Sequence, residues 1–366
     1  MVEYEPVIGF EIHAELATRS KVFCGCGTSP GAPPNTHTCP ICLGMPGVLP
    51  VLNQQALEYA LQVALACHCE ISSPSIFERK NYYYPDLPKN FQISQFDKPI
   101  AFDGRVTIPA NGAGKRIRIR RVHLEEDAGK LIHDTPGPYS FVDYNRAGIP
   151  LLEIVTEPDI ASPDEAHEYL SRLKSILEYL DVSNCDMEKG SLRCDANISV
   201  RSAGTTALGV KVELKNMNSF KGVKNGLEFE AARQIGLAGS GEAIVQETRL
   251  WDQNKGVTMS MRTKEEAHDY RYFPEPDLVP FVESAALVEE AKRSIPELPE
   301  ARAKRFTEAF GLSAYDAAVL VSAKATADYY EVCLAQYDKP KIAANWISGD
   351  LTAAANEKAS PYRTSA

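Results

Sequence analysis

The sequence predicts an α+β protein, in which a large antiparallel-sheet domain is followed by an α-helical domain. Three observations carry this prediction. Strand-like alternation of polar and apolar residues recurs up to about Ser294, two helical patterns interrupt it, and the pattern turns helical beyond Pro296 and Pro299. We therefore expect a sheet domain over residues 1–294 and the start of a helical domain over residues 295–366.

The strand predictions rest on a two-residue alternation. In RCDANISV the polar face carries Arg193, Asp195, Asn197 and Ser199. GVKVELKN alternates in the same way, and TRLWDQNKGVTMSMR predicts a hairpin with a glycine in its turn. Alternation of this kind is typical of strands that bury one face.

Two helices are predicted within the strand-rich region. The first follows Asn53 and carries apolar residues at helical spacing over residues 57–65. The second begins with Ser162 as N-cap and Pro163 at the first helical position, and it runs to Leu180. In the C-terminal region, SAYDAAVLVSAKATADYYEVCLAQY is the clearest helical segment.

Composition narrows the class of protein. The formal net charge of -10 argues against a protein that holds nucleic acid through its overall field. A local basic stretch, KRIRIRR (Lys115 to Arg121), places charge on both strand faces and favours a solvated edge strand. The N-terminus has no basic region followed by an apolar run, and no apolar stretch approaches the ~18 residues of a membrane span. We therefore expect a cytoplasmic protein that does not associate with membranes.

Four cysteines are crowded into one loop, CGCGTSPGAPPNTHTCPIC. Their spacing, two close pairs separated by a loop, is typical of a metal site, and cytosolic thiols rarely form structural disulfides. Four thiolates suit tetrahedral Zn²⁺ and leave no open position for chemistry. The loop over residues 24–42 is thus predicted to be a structural zinc site formed by Cys24, Cys26, Cys39 and Cys42. The alternative is a former zinc loop that folds without metal.

Carboxylates and histidines recur together in three segments. GFEIHAEL places Glu11 and His13 on one face of a strand, RRVHLEEDAGK contains Glu125, and GIPLLEIVTEPD embeds Glu153 among apolar residues. If these four side chains converge, they form an oxygen-rich site with one imidazole, which suits Mg²⁺ or Mn²⁺. The alternative is that each carboxylate pairs with one of many nearby arginines, because an isolated buried charge is very costly.

A series of motifs spans residues 5 to about 355 in a fixed order: VIGFEIHAEL, CPICLGMPGVLPVLN, FERKNYYYPDLPKNFQISQFD, VHLEEDAGK, DYNRAGIPLLEIVTEPD, GSLRCDANISVR, VELKNMNSF, QETRLWD and DYRYFPEPDL. With these motifs the chain closely resembles the GatB/GatE family, in its bacterial form the B subunits of the aspartyl/glutamyl-tRNA(Asn/Gln) amidotransferases. The family fold is a cradle of antiparallel strands followed by a helical domain.

The resemblance implies an ATP-dependent carbon–nitrogen ligase. The family takes tRNA(Gln) misacylated with Glu, or tRNA(Asn) misacylated with Asp, and phosphorylates the side-chain carboxylate with ATP. Ammonia then displaces phosphate to give the amide. Because a carboxylate is a poor electrophile, the acyl phosphate supplies the leaving group. Such a transfer needs a divalent cation to neutralise the charge that develops on the phosphate oxygens.

The resemblance also assigns roles to individual residues. The Mg²⁺ (or Mn²⁺) ligands and catalytic residues are Glu11, His13, Glu125 and Glu153. The residues that could meet ATP or the aminoacyl end are Arg193, Asp195 and Asn197. The residues along the route of ammonia are Lys80, Lys89 and Glu126. Some family members keep the four loop cysteines and bind Zn²⁺ there, in agreement with a structural role.

The implied partners are an amidase-type A subunit and a small C subunit in a heterotrimer. A glutaminase partner is expected because the sequence offers no Cys–His or Ser–Ser–Lys constellation that could release ammonia from glutamine. The alternative function is a non-catalytic tRNA-binding scaffold that keeps the cradle. Family members continue into further helices and a tail domain that grips the tRNA body. The chain ends at EKASPYRTSA, so we expect that tail domain to be absent.

Overall fold

The structure is a computed structural model that describes residues 3–110, 113–133, 137–263 and 270–357. Its strands are β1 (Tyr4–Glu15), β2 (Glu70–Ile71), β3 (Glu78–Asn81), β4 (Phe91–Ser94), β5 (Ala101–Ala110), β6 (Ala113–Glu126), β7 (Lys130–Ile132), β8 (Phe141–Asp143), β9 (Pro150–Thr156), β10 (Leu192–Ser202), β11 (Val212–Lys215), β12 (Glu247–Asp252), β13 (Val257–Thr263) and β14 (Phe273–Pro274). Its helices are α1 (Gln54–Ala66), α2 (Pro163–Tyr179), α3 (Phe220–Ser240), α4 (Ala285–Ser294), α5 (Pro299–Phe310), α6 (Ala314–Val321), α7 (Lys324–Gln336), α8 (Pro340–Trp346) and α9 (Thr352–Glu357), with a π-helical turn at Ile347–Leu351.

One large sheet organises the chain. Its strand order is β13-β12-β11-β10-β1-β9-β6-β5-β2. Neighbouring strands are antiparallel except β11 and β12, which are parallel. The predicted α+β class, with strands first and helices after, is therefore confirmed.

The two faces of the sheet differ in chemistry. One face packs against α1, α2 and α3 and forms the main core, in which Phe10 and Ile12 of β1 meet Leu61, Tyr169 and Leu227 from the three helices. The other face carries the polar residues of the same strands, because successive side chains of a strand point in opposite directions. We call this the polar face.

The two helices predicted inside the sheet region are confirmed with their caps. The side chain of Asn53 accepts hydrogen bonds from the backbone N–H groups of Gln55 and Ala56 at the start of α1. The Ser162 hydroxyl accepts from Glu165 N–H at the start of α2. Both caps satisfy N–H groups that have no partner within the helix.

Helix α3 was not predicted from the sequence. It is capped by Ser219, whose hydroxyl accepts from Gly222 N–H, and it ends at Gly241 in a left-handed conformation. Its four internal glycines, Gly222, Gly226, Gly236 and Gly239, weaken the helical signal because glycine is a poor helix former. Packing against β10 and α2 nevertheless places it in the main core.

The interpretation of KRIRIRR as a solvated edge strand is wrong. The segment forms part of β6, which lies between β5 and β9. Ile117 and Ile119 are fully buried, whereas Arg118 and Arg120 are exposed on the opposite face. Lys115, on the side of the isoleucines, pairs with Glu165 of α2. A bulge between Ile119 and Arg121 shifts the alternation by one residue and leaves Arg120 and Arg121 both off the core.

A small sheet with the order β14-β3-β4 covers part of the polar face. Hydrogen bonds fix it to β6, because the Gln95 side-chain carbonyl accepts from Leu124 N–H (3.0 Å) and the Ser94 hydroxyl donates to Glu125 (3.0 Å). This sheet brings Lys80 on β3 over the centre of the large sheet, and Lys89 precedes β4. The small sheet therefore closes one side of the candidate site.

The C-terminal helices have a second core of their own. It is built around Phe306, Leu320 and Tyr330 and extends to Ile347. The segment predicted as the clearest helix is two helices, α6 and α7, because the chain turns at Ser322 and Ala323. Among the described residues, no helix is long and apolar enough to cross a membrane.

Candidate functional site

Strand register gathers the predicted site on the polar face. His13 of β1 lies opposite Glu153 of β9, and Glu153 lies opposite His123 of β6. Glu125 follows two residues after His123 and points to the same side. Three adjacent strands thus place two imidazoles and two carboxylates side by side, although these residues are far apart in sequence. We call these four residues the carboxylate–histidine cluster.

The distances within the cluster are short. His13 Nε2 lies 3.4 Å from Glu153 Oε2 and 3.7 Å from Glu125 Oε1. His123 Nε2 lies 3.1 Å from Glu153 Oε2 and 3.7 Å from Glu125 Oε2. A ring nitrogen of His13 and one carboxylate oxygen each from Glu125 and Glu153 all lie within 4.8 Å of one another. The three groups are therefore close enough to bind the same ion.

Burial and mutual charge set the protonation of the cluster. Burial by itself disfavours charge on every member, yet the carboxylates raise the pKa of His13 and raise the pKa of His123 to about 9. In turn, burial raises the pKa of Glu125 and Glu153, but the hydrogen bonds and charges of the histidines outweigh it and leave both pKa values lowered. Within the protein alone, the histidines thus favour the ionised form of the carboxylates, and the carboxylates favour the protonated form of the histidines.

The cluster fits a hard divalent cation. Glu125 and Glu153 are 2% and 6% exposed, and among the described residues no Lys or Arg nitrogen forms a salt bridge with either. Glu125 and Glu153 therefore pair with histidines and not with arginines, in contrast to the alternative interpretation. Two carboxylates and one imidazole nitrogen are a donor set suited to Mg²⁺ or Mn²⁺.

Glu11 lies on the same face but outside the group of ligand atoms. Its carboxylate accepts a hydrogen bond from Asn197 Nδ2 at 3.1 Å. It is two residues from His13 along β1, and two residues of a strand span roughly 6.6 Å. Of the four residues predicted as metal ligands, the structure gathers His13, Glu125 and Glu153 and leaves Glu11 beside them.

His123 was missed as a site residue by the sequence prediction. It is 2% exposed, and its Nδ1 is buried with no hydrogen-bond partner among the described residues. The available signal was its position two residues before Glu125, which places both on one strand face. The cross-strand contact with Glu153 depends on register, which motif spacing does not reveal.

The three polar residues of β10 lie next to the cluster, and each has a partner. Arg193 Nη2 lies 2.8 Å from Asp127 Oδ2, Asp195 pairs with Lys215, and Asn197 donates to Glu11. Their strand neighbours β1, which carries His13. The predicted substrate-binding residues therefore form one flank of the cluster.

The residues predicted for the ammonia route separate into two environments. Lys89 and Glu126 form a buried ion pair, and Glu126 also accepts from Ile93 N–H at 3.0 Å. Lys80 lies with its Nζ 4.9 Å from the ring centroid of Tyr270, and although burial lowers its pKa, the charges of Glu125 and Glu153 raise it above the usual range. Lys80 thus faces the cluster as a cation, while Lys89 and Glu126 neutralise each other beside it.

The four loop cysteines also converge. Their sulfurs lie within 4.8 Å of one another, which fits the donor set of a tetrahedral zinc site. Cys42 Sγ accepts from Cys39 N–H at 3.2 Å and lies 3.7 Å from Nζ of Lys21. A hydrogen bond from the Cys24 thiol, with the Cys39 N–H and the Lys21 charge, lowers the pKa of Cys42 to about 4 against the effect of burial. The loop is therefore prepared to hold at least one thiolate.

Lys21 anchors the cysteine loop through hydrogen bonds from its ammonium group. Its side chain is 1% exposed, and Nζ donates to the carbonyl oxygens of His37 at 2.7 Å and Tyr144 at 3.2 Å. A buried ammonium is stable only when its donors are satisfied and its charge is compensated. The two carbonyl oxygens accept hydrogen bonds from the ammonium, and the Cys42 sulfur compensates its charge.

Comparison with known proteins places these sites in a family context. The family described as the GatB/GatE catalytic domain matches residues 6–289. The chain is 56% identical over 357 residues to the B subunit of the aspartyl/glutamyl-tRNA(Asn/Gln) amidotransferase of Caldanaerobacter subterraneus subsp. tengcongensis, covering 97% of this chain and 75% of that protein. It is 57% identical over 356 residues to the protein of the same name from Brevibacillus brevis, covering 97% of this chain and 74% of that protein. The matched residues include both the cluster and the cysteine loop.

Proposed function

Because the chain belongs to the GatB/GatE family, as the B subunit of a tRNA-dependent amidotransferase, we propose that its polar face is the site where a misacylated tRNA is activated and amidated. The substrates are Glu-tRNA(Gln), Asp-tRNA(Asn) or both. The observation that carries the proposal is the buried carboxylate–histidine cluster at the centre of the polar face.

The proposed chemistry has two steps. A side-chain carboxylate oxygen of the misacylated amino acid attacks the γ-phosphorus of ATP, and ADP leaves with the electrons of the broken P–O bond. Ammonia then attacks the acyl carbon, phosphate leaves, and a proton is lost from nitrogen to give the amide. The first step converts a poor electrophile into a mixed anhydride with a good leaving group.

Residues of this chain supply binding and charge for the first step. His13, Glu125 and Glu153 would hold the divalent cation. When bound, the cation would neutralise negative charge on the phosphate groups of ATP. His123 holds the Glu153 carboxylate in place through its 3.1 Å contact. Lys80 adds a positive charge on the side covered by the small sheet.

Ammonia for the second step is proposed to come from a partner. We propose an amidase-type A subunit as the source and a small C subunit as the third component of a heterotrimer. The buried pair of Lys89 and Glu126, together with Lys80, is proposed to line the route of ammonia. Lys80 lies on β3 of the small sheet, and the ion pair of Lys89 and Glu126 lies beside β4, where Glu126 accepts from Ile93 N–H.

A catalytic role explains the burial of charge better than a scaffold role does. Taking carboxylates out of water costs several kcal/mol per ion unless a partner compensates. A protein that only bound tRNA through this fold would gain nothing from Glu125 and Glu153, which are 2% and 6% exposed. A phosphoryl-transfer site gains a fixed position for its cation.

The proposal is tested with the chain assembled with its A and C subunits. We expect Glu125→Gln and His13→Ala to lower misacylated-tRNA-dependent ATP cleavage by roughly a hundred- to a thousand-fold, since removing one group from an electrostatic site typically costs 10²–10³ in kcat. The glutaminase activity of the partner should survive in part. Glu168→Gln, on the surface of α2, is the control. A variant complex that still makes amidated tRNA at a near-normal rate would refute the site.

A further inference from the structure

The segment between β8 and β9, residues 144–149, lies between the cysteine loop (residues 24–42) and the candidate site. It contains no helix or strand, and its own backbone bonds are those of turns, such as the bond from Ile149 N–H to the Arg146 carbonyl oxygen at 2.9 Å. A segment held internally by turns alone depends on its neighbours for a fixed position. We call residues 144–149 the bridging segment.

Asn145 joins the bridging segment to the cysteine loop. Its side-chain oxygen accepts from His37 N–H at 2.8 Å, and its Nδ2 donates to the Pro33 carbonyl oxygen at 2.8 Å. From the loop, the Asn35 side-chain oxygen accepts from Tyr144 N–H at 2.8 Å. The three loop residues lie between the two cysteine pairs. Zn²⁺ bound by both pairs would therefore also fix the partners of the bridging segment.

Gly148 packs against the stem of the same loop. Its φ is +86°, and a Cβ built on it would lie 3.6 Å from Cβ of Cys42. Its carbonyl oxygen accepts from Val22 N–H at 2.9 Å. The bridging segment thus contacts both the middle of the cysteine loop and one of the four predicted zinc ligands.

The other side of the bridging segment holds Asp127, which follows the last residue of β6. Asp127 N–H donates to the Ile149 carbonyl oxygen at 2.9 Å, and the Asp127 carbonyl oxygen accepts from Gly148 N–H at 2.8 Å. The Arg146 guanidinium donates to the next two carbonyl oxygens of the chain, at 3.0 and 2.8 Å. These bonds fix residues 127–129 to the bridging segment.

Asp127 in turn fixes Arg193 of β10. The Asp127 side chain is 5% exposed, and its Oδ2 lies 2.8 Å from Arg193 Nη2. Arg193 lies opposite His13 in the strand register, so it flanks the carboxylate–histidine cluster. Its side chain is 32% exposed. An arginine held on one edge by a buried carboxylate presents its other donors in a defined direction.

We propose that Asn145 and Arg146 are positioning residues of the active site, which transmit the order of the cysteine loop through Asp127 to Arg193. This inference rests on the proposed function, with Arg193 as a residue that contacts a substrate. Loss of the loop metal should displace the bridging segment and Arg193. The carboxylate–histidine cluster should keep its place, because the backbone ladder of β1, β9 and β6 holds it.

The first test is a double-mutant cycle in the chain assembled with its partner subunits. Asn145→Ala should lower kcat/KM for amidation roughly three- to ten-fold, the equivalent of about one net hydrogen bond. The change should lie in KM for a substrate rather than in kcat, because a group that binds without reacting contributes uniform binding. In an Arg193→Gln background, Asn145→Ala should lower kcat/KM by less than about two-fold, since the residue through which it acts is already lost.

Thr38→Ala is the matched control. The Thr38 hydroxyl donates to the Asn35 carbonyl oxygen at 3.1 Å, so the substitution removes a bond within the loop and leaves the bonds to the bridging segment intact. It should change kcat/KM by less than about two-fold. An equal loss from Asn145→Ala in both backgrounds overturns the proposal, because the effect would then be independent of Arg193. An unchanged kcat/KM in the Asn145→Ala protein overturns it as well.

Two substitutions keep the cycle decisive. If Asn145→Ala does not fold, Arg146→Gln replaces it with the same expected outcomes, because the Arg146 side chain holds residues 127–129 rather than the cysteine loop. If Arg193→Gln lowers the rate below detection, Arg193→Lys takes its place in the cycle.

The second test does not depend on activity. Hydrogen–deuterium exchange compares the amides of Gly148 and Asp127 in the same complex before and after Cys39 and Cys42 are both changed to Ser. Exchange of both amides should quicken by roughly ten-fold or more, because local opening of the bridging segment breaks both bonds. Amides of β10 should keep their rates. Unchanged exchange at Gly148 and Asp127 overturns the proposal, and so does an equal rise in β10, which would mean that the metal stabilises the whole domain.

The two tests separate this inference from the proposed function. Amidated tRNA made by the wild-type complex, with independent effects of Asn145→Ala and Arg193→Gln, would leave the function standing and remove the positioning role. Exchange that depends on the cysteine pair, in a complex that never amidates tRNA, would keep the link between loop and bridging segment and remove the function.

Discussion

At the residue scale, buried charge also affects stability outside the candidate active site. Glu283 is 8% exposed, and its Oε1 accepts from the Ser75 hydroxyl at 2.8 Å. Its Oε2 is buried with no hydrogen-bond partner in the described part of the chain. Burial raises the pKa of Glu283, and the hydrogen bonds that favour the ionised form offset this only in part.

The sign of the resulting pH dependence follows from linkage. Because the folded pKa of Glu283 is higher than the unfolded one, its ionised form destabilises the fold. The cost is fully present above the folded pKa and disappears as pH falls below the unfolded pKa. We expect Glu283→Gln to increase the free energy of unfolding at pH 7.5, because glutamine keeps an acceptor for the Ser75 hydroxyl without a buried charge.

Urea denaturation at pH 7.5 and pH 4 measures this effect. The gain from Glu283→Gln should shrink at the lower pH, where the wild-type carboxyl is largely protonated. Glu289→Gln, on the exposed side of α4, is the control and should change stability little at either pH. A variant that is destabilised to the same degree at both pH values would contradict the assignment.

The part of the candidate site that depends on residue type and on strand alternation could be predicted from the sequence. His13, Glu125 and Glu153 stood out because polar residues at fixed positions among apolar neighbours are costly unless they have a role. The contact between Glu11 and Asn197, and the inclusion of His123, depend on which residues of neighbouring strands face each other. Register is a tertiary property, so the spacing of motifs along the chain could not supply it.

At the scale of elements, the cysteine loop is the segment most dependent on a ligand. Its residues between Lys21 and Leu52 form turns and bends without a regular helix or strand, so local backbone bonding contributes little to its order. Zinc analysis of protein purified without chelator should find about one ion per chain. Changing both Cys39 and Cys42 to Ser should abolish binding and lower thermal stability.

Cys333→Ser is the matched control for the loop. Cys333 lies in α7, away from the four loop sulfurs, and its replacement should leave the zinc content unchanged. Wild-type protein that contains no zinc under these conditions would show that the loop folds by itself.

Helix α3 provides a second test at the element scale. Gly236 lies in its interior, and a Cβ built on it would meet nothing within 4 Å. Gly236→Ala should therefore stabilise the protein by about 0.5–1 kcal/mol, because alanine loses less conformational freedom in a helix. Gly104→Ala is the contrasting variant, since its Cβ would lie 2.2 Å from Cys69 Sγ. It should destabilise, and denaturant midpoints of the two variants should move in opposite directions.

The same helix explains where sequence-based prediction of elements failed. Helices α1 and α2 were recognisable through their caps and regular apolar spacing. Helix α3 has a cap at Ser219 as well, but its glycines and irregular apolar spacing hide it. It forms because Val223 and Leu227 are fully buried in the main core, which is a tertiary contribution that overrides local propensity.

At the scale of the whole molecule, two cores meet at one small contact region. The Tyr179 hydroxyl at the end of α2 donates to the Val321 carbonyl oxygen at 2.9 Å, and Lys324 pairs with Asp181. Helix α4 belongs to the first core, because Ala291 is buried there and Gln62 of α1 donates to Ser294 at 2.6 Å. Residues 295–298 then connect it to α5, and Ile295 and Leu298 still pack against the first core.

This arrangement predicts that residues 1–294 fold without the helices that follow. The main core and the two candidate metal sites lie within this fragment, so it should unfold cooperatively on heating and retain zinc. Its stability should be lower than that of the full chain, because exposing the Tyr179 ring costs about 1.5–3 kcal/mol. In the full chain, Tyr179→Phe should cost only about 1 kcal/mol, the value of one hydrogen bond. Near-ultraviolet circular dichroism during thermal unfolding measures both changes. A fragment without a cooperative transition would mean that the second core is required to form the first.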